Sequence, residues 1–138
     1  MKLLKLLIVT VILNISACAT VPERITDSSK IETEFQSVGY RASYWGIGFE
    51  HIANLSINKK NLQLHDEDVN MVILYKNINS INYEKPFFTD SNNYIIINYK
   101  IDNEVKTAYF TSFENLGWTP GTAEIYQSLI FHYEKNKI

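Results

Sequence analysis

The sequence predicts a mostly β domain with one C-terminal α-helix, arranged as an open antiparallel barrel of six or seven strands that the helix caps. Two observations predict this fold. Between residues 49 and 111, short segments alternate apolar and polar side chains at a period of two, as half-buried strands do. From residue 119 onward the apolar residues recur at helical spacing. Because an amphipathic helix must bury its apolar stripe, we expect it to pack on an open end or face of the sheet.

The first half of the domain contains four predicted strands. Residue 49 opens an alternating segment, and the turn signal at 58–61 leads into a second one, so the two form a hairpin. Residues 71–75 are a short apolar run suited to a buried strand, and the segment from 78 to 83 continues as another. The apolar positions of these segments are Phe49, His51, Ala53, Leu55, Ile57, Leu62, Leu64, Ile78, Ile81 and Tyr83. Residues 31–45 are ambiguous between a short helix and a strand through Val38, Tyr40, Ala42 and Tyr44.

The second half contains the strongest strand signal and the helix. Residues 94–101 alternate cleanly, Asp102 and Asn103 are candidates for a tight two-residue turn, and 104–111 return as the partner strand. Thr119 is a plausible N-cap, with Pro120 at the first helical position. The predicted apolar stripe of the helix consists of Ile125, Tyr126, Leu129, Ile130 and Tyr133.

The N-terminus has the pattern of a secretory signal. Lys2 and Lys5 precede an apolar run that ends at residue 15, which is shorter than the roughly 20 residues of a permanent membrane span. The tetrapeptide Ile15-Ser16-Ala17-Cys18 follows, and it resembles the lipobox of bacterial lipoproteins. The resemblance implies that residues 1–17 are removed and that Cys18 becomes a lipidated N-terminus. The alternative is an ordinary signal peptide with an incidental cysteine.

The same resemblance implies the domain plan and the location. Residues 18–30 are polar and predict a tether, and 31–138 predict the globular domain. In two-membrane bacteria, aspartate after the lipidated cysteine retains a lipoprotein at the inner membrane. This chain has Ala19 there, which favours the outer membrane, with the domain facing the periplasm or the cell surface.

The charge and the cysteine content of the chain limit which partners and which kinds of site are expected. The full chain has 13 basic and 15 acidic residues, and removal of Lys2 and Lys5 with the signal leaves 11 against 15, a net charge of −4. This balance predicts no nucleic-acid partner and argues against attraction to anionic lipid, so the membrane link is expected to be covalent. Cys18 is the one cysteine, which excludes an intrachain disulfide and a cysteine-based zinc site.

Residues 48–137 resemble the pleckstrin-homology-like barrels, including GRAM-type domains. The resemblance rests on the hairpin of residues 55–64, on the segment Ile73-Leu74-Tyr75-Lys76-Asn77-Ile78-Asn79-Ser80-Ile81, on the hairpin of residues 94–111 and on the final helix. Such domains bind phosphoinositides, peptides or proteins, or act as scaffolds. Lys59 and Lys60 are a lone basic pair in the first hairpin, so a headgroup-binding role does not carry over.

No motif predicts catalysis, a metal or a cofactor. The sequence contains no Gly-x-Ser-x-Gly elbow, phosphate-binding glycine loop or His-Glu-x-x-His motif. The acidic loop after His65 is expected to be a solvated turn rather than a cation site. His51 is expected to be a hydrogen-bonded core or edge histidine, and His132 to be charged near the helix C-terminus.

The aromatic cluster Tyr40, Tyr44, Trp45 and Phe49 is the candidate partner-binding surface, since tyrosine and tryptophan are enriched at interfaces. The alternative is that these rings close the barrel core. The leading functional hypothesis is a non-catalytic module that binds a protein or peptide in the cell envelope. An immunity or inhibitor lipoprotein and a carrier of a small apolar ligand inside the barrel are the alternatives.

Overall fold

A computed structural model of the chain describes residue 22 and residues 33–42, 50–84, 93–113 and 119–137. These residues form seven strands and a helix, with a short 3-10 turn, Tyr75–Asn77, between the fourth and fifth strands. The strands are β1 Glu34–Arg41, β2 His51–Ile57, β3 Asn61–His65, β4 Asn70–Leu74, β5 Ile78–Glu84, β6 Tyr94–Ile101 and β7 Glu104–Ser112. The helix, α1, is Thr119–Asn136.

All seven strands belong to one antiparallel sheet in the order β4-β3-β2-β1-β7-β6-β5. A flat sheet of this size would separate its edge strands by roughly 29 Å, at about 4.8 Å per neighbouring pair. The edges β4 and β5 are nevertheless joined by the three residues of the 3-10 turn, which span only about 10 Å when extended. The sheet must therefore curl back on itself, and the predicted fold class is confirmed.

The alternating residues that predicted the strands supply the core. Ala53, Leu55 and Ile57 of β2 face inward, and all are at most 3 % exposed. The same holds for Leu62 and Leu64 of β3, whose register pairs Leu64 with Leu55 across the hairpin. From the other half of the sheet, inward-facing side chains pack into the same cluster: Tyr83, Ile95, Ile97, Tyr99, Ala108 and Phe110. One core thus spans both halves of the sheet.

Strand β1 explains why residues 31–45 were ambiguous in the sequence. The pairing of β1 with β2 shifts register between Phe35 and Val38, which marks a bulge. Ser37 lies in the bulge with a φ of 51°, and its carbonyl accepts a hydrogen bond from the Phe113 N–H at 2.8 Å. The bulge inserts a residue between the inward-facing Phe35 and Val38, so the period of two is broken inside a regular strand.

The turn between β6 and β7 confirms the two-residue hairpin. Ile101 pairs with Glu104, and the two residues between them, Asp102 and Asn103, have φ angles of 51° and 68°. Tight hairpins that match the twist of a sheet require positive φ at both central positions. Asparagine and aspartate tolerate this conformation better than other non-glycine residues, so glycine is not needed here.

Helix α1 packs most closely on β7 at its first turn. Gly121 is buried there, and a Cβ atom at this position would lie 2.4 Å from Ser112 Oγ and 2.8 Å from Ser112 Cβ. The absence of a side chain therefore sets the distance between helix and strand. Further along α1, Ile125 and Leu129 are fully buried, while Tyr126 and Tyr133 pack half-buried against the core.

We expect Gly121→Ala to destabilise the fold by about 1–3 kcal/mol, because the new methyl group forces the helix away from Ser112. The higher helix propensity of alanine, about 1 kcal/mol, offsets only part of this cost. Urea denaturation of the purified protein measures the effect, with Glu124→Ala at an exposed helix position as the control. Adding Ser112→Gly removes both clashing atoms and is expected to restore part of the loss. An unchanged denaturation midpoint for Gly121→Ala would contradict the close contact.

Candidate functional site

The residues proposed from the sequence as a lipid site and a partner surface are only partly described. Cys18 lies outside the described residues, as do Tyr44, Trp45 and Phe49. Tyr40 lies on β1, faces the core and is 8 % exposed. Its ring is 5.5 Å from that of Phe110 and stacks at 6.3 Å on that of His51. Tyr40 therefore packs in the core, which was the alternative to a partner-binding role. The partner-binding surface formed by Tyr44, Trp45 and Phe49 stays a prediction.

The Tyr40 hydroxyl lies in an environment that disfavours its ionisation. Burial raises the pKa of Tyr40 to about 12, and the proximity of Tyr99 and Glu50 adds to this effect. Burial also raises the pKa values of Tyr75, Tyr83 and Tyr99, although a hydrogen bond from Asn93 partly counteracts it at Tyr83. The folded state therefore holds these phenols neutral at pH values where the unfolded chain would release their protons.

The free energy of unfolding is expected to fall as the pH rises above 10. A group whose pKa is raised in the folded state contributes stability that is complete below its unfolded pKa and is lost as the pH rises through its folded pKa. For Tyr40 that interval extends from 10 to about 12. Tyr40→Phe should therefore make the loss smaller, by up to about 2–3 kcal/mol at the upper limit. Urea denaturation at a series of alkaline pH values measures this difference, and an identical pH dependence in wild type and variant would contradict it.

The sheet has a free edge at β5, beside the helix. Strand β5 pairs with β6 on one side, and among the described residues no strand pairs with its other side. Two ring contacts place α1 along this edge: Tyr83 lies 5.1 Å from Tyr126, and Tyr75 lies 6.0 Å from Tyr133 in an edge-to-face arrangement. We call this region the β5 edge surface, which consists of Ile78–Glu84 and the half-buried Tyr126 and Tyr133.

A chain of buried hydroxyl groups holds the start of α1 on the sheet. The Ser112 N–H donates to Thr122 Oγ1 at 2.9 Å, and Thr122 Oγ1 lies 3.1 Å from Thr111 Oγ1. Thr111 Oγ1 donates to the Asn93 carbonyl at 2.9 Å, so its single proton is used there. Thr122 must therefore donate to Thr111, which fixes the direction of every proton in the chain. Asn93 Nδ2 then donates to Tyr83 Oη at 3.0 Å, which links the helix to β5.

Three polar side chains meet on the outer face of β1, β2 and β3. Ser56 Oγ donates to Glu34 Oε2 at 2.6 Å and lies 2.9 Å from His65 Nε2, while His65 Nε2 and Glu34 Oε2 are 4.0 Å apart. Because the serine proton goes to the carboxylate, His65 must donate to Ser56. In a catalytic triad the carboxylate instead orients the histidine, which takes the serine proton. Here the serine bridges an acid and a histidine, which is a structural arrangement.

Arg41 is a buried cation that the sequence did not single out. It is 7 % exposed, and its guanidinium carbon lies 4.8 Å from the ring centre of Tyr94 and 5.8 Å from that of Tyr109. Stacking on two aromatic faces compensates part of the cost of removing the charge from water. These three residues lie outside the main core cluster, on the outer face of the sheet. From strand alternation alone, an arginine on the outer face of the sheet would be expected to be exposed to solvent.

His132 differs from the charged state expected for it. Burial lowers the pKa of His132, and the nearby positive charge of Lys135 lowers it further. The neutral imidazole is thus favoured, although the helix C-terminus attracts cations.

Within the ranges that the structure describes, no three His, Cys, Asp or Glu side chains are grouped as metal ligands. No helix among these residues is both long and apolar enough to span a bilayer.

No protein-family model matches the sequence, and no curated protein matches it.

Proposed function

We propose that this chain is a lipid-anchored bacterial lipoprotein whose domain binds a protein or peptide of the cell envelope and catalyses no reaction. The anchor is Cys18, on the pattern Ile15-Ser16-Ala17-Cys18, and Ala19 favours the outer membrane. The domain is a pleckstrin-homology-like scaffold, a relationship that the strand order and the C-terminal helix support. A fold of this kind does not specify a function, so the proposal depends on the surface it presents.

The observation that carries the binding proposal is the free edge of β5. An edge strand leaves alternate backbone N–H and C=O groups without a partner strand, and an extended peptide can satisfy them by adding a strand. Seven residues of edge are present at Ile78–Glu84. The half-buried rings of Tyr126 and Tyr133 stand beside this edge and offer apolar contacts to alternate side chains of the added strand. The occupant is therefore an extended segment of a partner protein.

The packing of the barrel favours this surface over the interior as the binding region. The interior is occupied by side chains that are at most 2 % exposed, among them Val38, Leu64 and Ile97. Protein interiors packed in this way leave little room for a small apolar ligand. A carrier function would need these side chains to move apart, whereas strand addition at β5 needs no rearrangement of the core.

Site-specific photo-crosslinking in cells tests the proposed edge. A photoreactive amino acid replaces Asn82, which is exposed on β5, or Asn54, which is exposed on the internal strand β2. We expect one discrete covalent adduct from position 82 and none from position 54, because β5 is an edge strand whereas β2 is paired with a strand on both sides. A third position, Val72 on the other edge strand β4, serves as a comparison. An adduct from position 54 or 72 but not from 82 would contradict binding at β5.

A further inference from the structure

The regular part of the β5 edge has its midpoint at Asn82. The pairing of β5 with β6 shifts register near the start of β5, and from Ser80 to the end of the strand five consecutive residues pair with β6 without interruption. Within this segment Ile81 and Tyr83 pack in or against the core, so Ser80, Asn82 and Glu84 face outward. A strand that adds here in register must match the alternation of these five residues.

The composition of β5 leaves this edge open to another strand. Natural edge strands are commonly protected by lysine, by proline or by a charge that pairing would bury. The strand Ile-Asn-Ser-Ile-Asn-Tyr-Glu contains no lysine, arginine or proline, and its one charge is at the last position, Glu84. The edge is therefore suited to pairing with a strand whose side chains complement its own.

The same five residues in a second copy provide that complement. When two β5 strands pair antiparallel about a twofold axis at Asn82, Ser80 of each copy lies opposite Glu84 of the other, and Ile81 lies opposite Tyr83. Residues opposite each other in an antiparallel pair point to the same face. A hydroxyl group thus meets a carboxylate on the outer face. Two apolar side chains meet on the inner face, where Ile81 is only partly buried.

The Ser80 side chain can donate in this contact. Asn98 Nδ2 of β6 donates to Ser80 Oγ at 2.9 Å, so the serine acts as the acceptor in that bond and its own proton is not used there. Glu84 is exposed at the other end of the segment. Hydrogen bonds to a carboxylate are stronger than those between neutral groups, so two such bonds, related by the axis, favour pairing about Asn82.

The bulge at the start of β5 disfavours the neighbouring register. An axis at Ile81 would place Glu84, which faces outward, opposite Ile78, which is buried in the core. These two side chains point to different faces of the sheet and could not form a cross-strand pair. The bulge and the side-chain chemistry therefore select the same axis.

Charges at the two ends of β5 also suit an antiparallel copy. Lys76 precedes the strand in the 3-10 turn, and Lys137 Nζ lies 5.6 Å from the ring centre of Tyr133, which contacts Tyr75 of the same turn. The other end of the strand carries Glu84. An antiparallel copy brings its acidic end towards the basic end of the first copy, whereas a parallel copy would bring like charges together.

We propose that the partner at β5 is a second copy of this chain, and that two β5 strands pair antiparallel about Asn82 and join two seven-stranded sheets into one. The inference rests on the proposed binding at β5 and names the segment that occupies it, Ser80–Glu84 of the other copy. Each copy supplies the same surface to its partner, so the pairing closes as a dimer.

Disulfide formation between identical positions tests the twofold axis. Membranes from cells producing full-length Asn82→Cys are oxidised, and dimers are measured on non-reducing gels. Opposed residues of an antiparallel pair have Cα atoms about 4.5–5.5 Å apart, which a disulfide spans. We expect at least about fivefold more dimer than from Asn54→Cys on the internal strand β2 or Val72→Cys on β4, both exposed. The wild type reports any disulfide that forms through Cys18, its one cysteine.

Mixed variants test the register. Ser80→Cys and Glu84→Cys are produced together with different epitope tags, so that a disulfide between the two variants is distinguished from one between identical copies. Pairing about Asn82 predicts the mixed disulfide in clear excess, because these positions lie opposite each other across the axis. An excess of either identical pair over the mixed one would contradict this register.

The outcomes separate self-pairing from binding at β5 in general. Equal amounts of dimer from all three single positions, or dimer from position 72 but not from 82, would overturn the proposal. If position 82 gave no disulfide dimer but its photo-adduct contained a different protein, self-pairing would be wrong while binding at β5 would stand. If position 82 gave neither a dimer nor an adduct, both proposals would fail.

Discussion

Replacing Tyr75 with alanine is expected to lower the free energy of unfolding by about 3–5 kcal/mol, the range found when a buried aromatic ring is removed. Tyr75 is 2 % exposed and lies in the 3-10 turn that joins the two edges of the sheet. Its Oη donates to the Asn58 carbonyl at 2.7 Å, and its ring meets that of Tyr133. One side chain thus connects the β2–β3 turn, the closing turn of the sheet and the last part of the helix.

Two variants separate the contributions of the Tyr75 ring and hydroxyl. Tyr75→Phe keeps the ring and removes the bond to Asn58, so we expect a loss of only about 1–2 kcal/mol. Val72→Ala, at a 41 % exposed position on the neighbouring strand, should cost less than about 0.5 kcal/mol. Urea denaturation measures all three. If Tyr75→Ala were no more destabilising than Tyr75→Phe, the ring would not hold these elements together.

Most of the fold was predictable because strand and helix periods appear directly in the sequence. Ile95 and Ile97 alternate with polar or outward-facing residues, and Ile125 and Leu129 stand one helical turn apart. Such patterns report burial on one face, which is the main determinant of each element. The bulge at Ser37 was hidden because one inserted residue shifts the alternation of its strand. The role of Gly121 was equally hard to predict, because it depends on how closely Ser112 of β7 lies to the helix backbone.

The candidate surfaces were less predictable because they combine residues that are distant in the chain. Lys59 and Lys60 are a lone pair in the sequence, and only the strand topology places Lys76 and Lys137 beside them. The free edge of β5 is likewise a property of the strand order, which alternation does not determine. The burial of Arg41 depends on the rings of Tyr94 and Tyr109.

Loss of the Cys18 thiol is expected to have the largest effect on the protein's location. Each buried methylene group contributes about 0.8 kcal/mol to membrane binding, so two or more acyl chains provide well over 10 kcal/mol. The exposed lysines, at about 1 kcal/mol each, cannot replace this energy. Cys18→Ser should therefore remove the stable acyl attachment, even though the folded domain is intact.

Metabolic labelling with a palmitate analogue tests this anchor most directly. Cells producing either the wild type or Cys18→Ser are labelled, and the protein is isolated under denaturing conditions so that only covalently bound lipid is counted. We expect strong labelling of the wild type and none of the variant, because this thiol is the one cysteine sulfur in the chain. Equal labelling of both proteins, or no labelling of the wild type, would contradict lipidation at Cys18 and with it the proposed place of the domain at the membrane.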